Sequence, residues 1–158
     1  MMSDERDDMA GLRDEIDQVG RTAAKRFDPG RGALTIAVAV PAILVSMVLP
    51  WTGGHTGLDV LLGEGRAIPK IFSCGALFAG VLLSATTLAV RRWTLAWITS
   101  LALFAASISG VLSIWMTQTT TGHKPGEGPG VGLVVAVIAT VLLLVKWLQI
   151  AASRPPIN

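Results

Sequence analysis

Four continuous apolar stretches, about residues 34–50, 71–90, 94–116 and 130–151, carry a single charged residue, Lys146, between them. A helix needs roughly 20 apolar residues to cross the hydrocarbon core of a bilayer, and each stretch is close to that length. Unbroken runs, rather than alternating ones, exclude a closed β-barrel. The pattern predicts an all-α membrane protein: four transmembrane helices in a bundle with an amino-terminal cytoplasmic amphipathic helix. The expected division is residues 1–32 for that helix and its linker, 33–151 for the transmembrane domain, and 152–158 for a cytoplasmic tail. A chain of 158 residues then has no room for a separate soluble domain with its own core.

Charge supplies the expected orientation. Arg91 and Arg92 fill the turn between the second and third stretches. Arg21, Lys25, Arg26 and Arg31 precede the first stretch and Arg154 follows the last, whereas the opposite side holds Arg66, Lys70 and Lys124. The excess of Lys and Arg places both termini in the cytoplasm of a multi-pass plasma-membrane protein. The acidic opening, Asp4, Glu5, Asp7 and Asp8, differs from the basic start of a secretory signal, so the first stretch is expected to insert as an uncleaved anchor. The pI of 9.1 accompanies a net charge of only +2, without a basic patch interleaved with aromatics, and this reading assigns no nucleic-acid partner. Cys74 is the single cysteine, which rules out an internal disulfide.

Side chains within the stretches have ordinary explanations. Trp51, Trp93, Trp115 and Trp147 stand near their ends, where indole rings serve as interfacial anchors. Lys146 lies about one turn from the end of its stretch and is expected to snorkel, since no stretch contains an Asp or Glu to pair with it. Small residues recur at four-residue spacing: Ala76, Gly80 and Ser84; Ala102, Ala106 and Gly110; Gly128, Gly132, Ala136 and Thr140. Such stripes let helix backbones approach closely. Pro41 is expected to kink the first helix.

Outside the apolar stretches, two segments are patterned. Met9, Leu12, Ile16, Val19 and Ala23 alternate spacings of three and four, which puts them on one stripe of a helix over about 4–27. Residues 1–19 carry seven acids and two bases, and 20–32 carry four bases and one acid, so the helix is divided by charge. Lying on the membrane, self-pairing and docking onto a partner all fit this pattern; docking is the favoured reading. The second segment follows the first stretch and runs from Leu49-Pro50-Trp51 through Gly53, Gly54 and Gly57 to Leu58-Asp59-Val60-Leu61. Its candidate residues are Trp51, His55 and Asp59. His55 and Asp59 with Glu64 and His123 would be the raw material of a metal site, but their spacing matches no ligand motif. The expected site therefore has no metal, cofactor or catalytic residue.

The Leu-Pro-Trp loop, its glycines, the Gly57-Leu58-Asp59-Val60-Leu61 run, the acidic tail and the Arg91-Arg92 turn together resemble a conserved family of small four-span membrane proteins of actinobacteria, mycobacteria in particular. That resemblance implies a cytoplasmic-membrane location and four spans, and it transfers no functional residue. The functional expectation is a non-enzymatic accessory or scaffold subunit of a larger membrane assembly. Its partners would be membrane lipids and another membrane protein, or a second copy in a homo-oligomer. The alternative is a small oligomeric transporter or lipid-handling protein for a neutral or amphiphilic substrate. An enzyme is the third class, disfavoured because no nucleophile–base–orienter set is visible.

Overall fold

A computed structural model describes Gly11 and residues 32–63, 66–119 and 126–153. Each apolar stretch becomes helical because its residues favour helix and bury one face against neighbours. Helix α1 spans Gly32–Ser46 and continues through Pro41. A two-stranded antiparallel hairpin follows, β1 Pro50–Thr52 and β2 His55–Thr56. A short helix α2, Gly57–Leu62, leads to a long helical rod in three pieces. These are α3 Ala67–Gly75, a π-helical segment Ala76–Leu83, and α4 Ser84–Val90. Helices α5, Trp93–Gln118, and α6, Val131–Ala152, complete the bundle.

The rod stops at Arg91, which takes left-handed backbone angles (φ 53°) and donates its N–H to the Thr87 carbonyl at 2.8 Å. A left-handed residue cannot propagate a right-handed helix, and the chain reverses at once into α5. The most extensive helix pairings are α5 with α6, α1 with α6, and α3 with α5. The core is built from Ile36, Ile43, Phe72, Leu103, Leu133, Leu143 and Trp147, each inaccessible to solvent.

Among the described residues, three helices are long and apolar enough to cross a membrane, by length and composition: Ala67–Val90, Trp93–Gln118 and Val131–Ala152. The first expected span, about 34–50, is corrected. Its helix has 15 residues, because the chain turns after Ser46 and residues 50–52 enter the hairpin. The expected amino-terminal amphipathic helix lies outside the described residues, Gly11 apart. Two of the tryptophans expected as interfacial anchors are also corrected. Trp51 and Trp147 are fully buried. Their indole N–H groups are satisfied inside the protein by the Ser46 carbonyl at 2.7 Å and the Ser84 hydroxyl at 3.0 Å. Trp93, Trp97 and Trp115 are exposed.

Among the described residues, buried hydroxyls other than that of Ser107 are paired, as an apolar interior requires. Ser100 and Thr140 donate to carbonyls one turn back, those of Ala96 and Ala136. Thr87 and Thr99 bond each other across α4 and α5 at 2.8 Å. Removing one member of such a pair strands the other, whereas removing both leaves two apolar surfaces in contact. Thr87→Val is therefore expected to cost about 1–3 kcal/mol. The Thr87→Val/Thr99→Val double variant should recover most of that loss, as measured by chemical denaturation of the single and double variants. Additive losses would show that the two hydroxyls are satisfied independently.

Candidate functional site

The hairpin, α2 and the start of α6 form the most elaborate loop structure of the described residues. Trp51 is its centre. The indole ring lies 5.4 Å from Phe72 between centroids, tilted by 32°, while the Trp51 carbonyl accepts the Gly130 N–H at 2.7 Å. Met47 receives α2 from the other side, its carbonyl accepting the Leu58 N–H at 3.0 Å. Ser73 in α3 donates to the Gly57 carbonyl at 3.3 Å.

Two glycines make room for the ring. A Cβ at Gly57 would lie 2.6 Å from Trp51 Cε2 and 2.9 Å from Met47 Cα. At Gly132 it would lie 2.7 Å from Leu49 Cβ and 2.8 Å from Trp51 Cδ1. The hairpin reverses through Gly53 and Gly54, both with positive φ (53° and 82°). Beside this turn is an open recess of about 320 Å³ lined by Pro50, Thr52, Gly53, Gly54 and residues 127–130. Glu127 brings its carboxylate up to Gly53.

The polar groups of the loop are held by one another. The Thr56 backbone N–H and hydroxyl both donate to Asp59 Oδ2 at 2.8 Å, and the Asp59 N–H donates to Thr56 Oγ1 at 3.3 Å. This is a capping box in which Asp59 takes the place usually filled by Glu or Gln, and it starts α2. Those contacts, first the backbone N–H and then the hydroxyl of Thr56, with the charge of His55 in addition, hold the Asp59 carboxyl below its ordinary pKa against a smaller opposing effect of burial. His55 is exposed.

Among the described residues, no three His, Cys, Asp or Glu side chains come together as a metal site would require. Glu64 and His123 lie outside the described residues, as do Met9, Leu12, Ile16, Val19 and Ala23. Trp51 and Asp59 share one loop with His55, but Trp51 is buried against Phe72 whereas His55 faces solvent. Ala76, Gly80, Ser84, Ala106, Gly110, Gly132 and Ala136 are all buried in the bundle, and Ala102 is half-buried against the core. Cys74 is exposed. Lys146 is half-buried and donates to Gln149 Oε1 at 3.2 Å. The sequence reading missed Phe72, Gly130 and the Thr56–Asp59 box. Thr56 three residues before an acid was the available signal for the box.

Two outcomes test this loop. Gly132→Ala is expected to destabilise the protein by about 1–3 kcal/mol, the usual cost of overpacking, read as a lowered thermal midpoint. An unchanged midpoint would mean that Leu49 and Trp51 move aside freely. The second concerns Asp59. A carboxyl with a depressed folded-state pKa contributes stability above its unfolded value and loses it as pH falls through the folded one. Acidification through and below the ordinary carboxylate range should remove this contribution from the native protein. Asp59→Asn should lack that part of the pH dependence in thermal unfolding, and identical profiles would uncouple the carboxylate from the fold.

The family described as the MiaB C-terminal domain matches residues 13–158. A curated relative, the tRNA-2-methylthio-N(6)-dimethylallyladenosine synthase of Mycobacterium avium (strain 104), is 38% identical over 165 residues. The alignment covers 98% of this chain and 23% of that protein, so the chain spans about a quarter of the length of its relative. No solved structure matches.

These matches correct several expectations. The resemblance to a family of four-span actinobacterial membrane proteins is replaced by the family match. Length and composition make three helices apolar enough to span, but they do not show a membrane bundle. The fold class built on four transmembrane helices, and the multi-pass plasma-membrane location, are withdrawn. Also overturned are the non-enzymatic scaffold and the transporter, because the relative is a synthase. The partner list of membrane lipids without nucleic acid gives way as well, since the relative's name specifies a tRNA nucleoside. By the extent of the match, the chain belongs to the MiaB C-terminal domain family.

Proposed function

We propose that this chain is the carboxyl-terminal module of a tRNA-modifying enzyme, one that makes 2-methylthio-N(6)-dimethylallyladenosine. The observation that carries the reading is the alignment of 98% of the chain with 23% of a synthase of that name. In this proposal the module supports the reaction by positioning, and the reacting groups come from the rest of the enzyme. The described residues favour that division of labour. Asp59 is committed to Thr56 in the cap of α2, and the buried hydroxyls of Ser100 and Thr140 are bonded to their own helices.

The proposed contact with the rest of the enzyme is the stripe of Met9, Leu12, Ile16, Val19 and Ala23. Its spacing supports docking of one helix face, and Ile16, Val19 and Ala23 fall inside the family match.

The test is made in cells that encode this chain. The segment is removed from the genome, and 2-methylthio-N(6)-dimethylallyladenosine is quantified in total tRNA by mass spectrometry. The nucleoside is expected to fall severalfold and to return when the segment is restored. An unchanged level would overturn the proposal. For the stripe, Ile16→Asp/Val19→Asp should lower the nucleoside while leaving the thermal midpoint of the purified chain in place. Full modification in that variant would remove the stripe from the contact.

A further inference from the structure

We draw no further inference here: the strongest candidate, the apolar groove between α1 and α6 lined by Leu34, Val38, Ala42, Val135, Ile138 and Leu142, is an unpartnered face, and nothing in the structure shows what covers it.

Discussion

A large indole in the interior must bring its N–H to an acceptor, and Trp51 does so at the Ser46 carbonyl where α1 ends, an oxygen that also accepts the Leu49 N–H at 3.2 Å. The bond fixes where the chain leaves α1. With the ring seated, Phe72 of α3 has a surface to pack on, Gly57 can begin α2 under it, and Gly132 can bring α6 against Leu49. The Trp51 carbonyl then holds Gly130 at the entry to α6. Two neighbouring elements, α1 and α2, and two distant ones, α3 and α6, thus meet at one residue.

At the opposite end of α6, Trp147 has a similar part. Its N–H reaches Ser84, whose hydroxyl in turn donates to the Ala79 carbonyl inside the π-helical segment. A side-chain hydroxyl thus engages a backbone carbonyl of the π-helical segment. Hydroxyls on α4 and α5 and the Trp147 indole of α6 supply direction in an interior whose apolar contacts would otherwise permit sliding.

The helical stretches were legible because uninterrupted apolar runs have one low-energy backbone solution in a protein of this size. The capping box was legible in principle from Thr56 and Asp59. The fate of the tryptophans was not: position near the end of an apolar run is the same for a ring that faces outward, such as Trp115, and one that turns inward, such as Trp51. The glycines at 57 and 132 make room for Trp51, and the second lies far from it along the chain. The link to a tRNA-modifying synthase was illegible for another reason. Gly, Ala, Leu and Val packed in helices describe an interior, and an interior does not name the protein it aligns with. The Leu-Pro-Trp loop, on which the family resemblance rested in part, holds the indole seated between α1, α2 and α6.

Helix α5 is fastened at both extremities to different neighbours. Near its start, the Trp93 indole donates to the Ala151 carbonyl of α6 at 3.0 Å. Near its finish, the Met116 carbonyl accepts Nη1 of Arg66, the residue that opens α3, at 2.8 Å. A helix pinned at one end can pivot, and one pinned at neither can slip. Pinned at both, it is a strut. Its two ends are thereby tied to different partners, α6 at the start and the entry to α3 at the finish, so one helix sets the spacing of both.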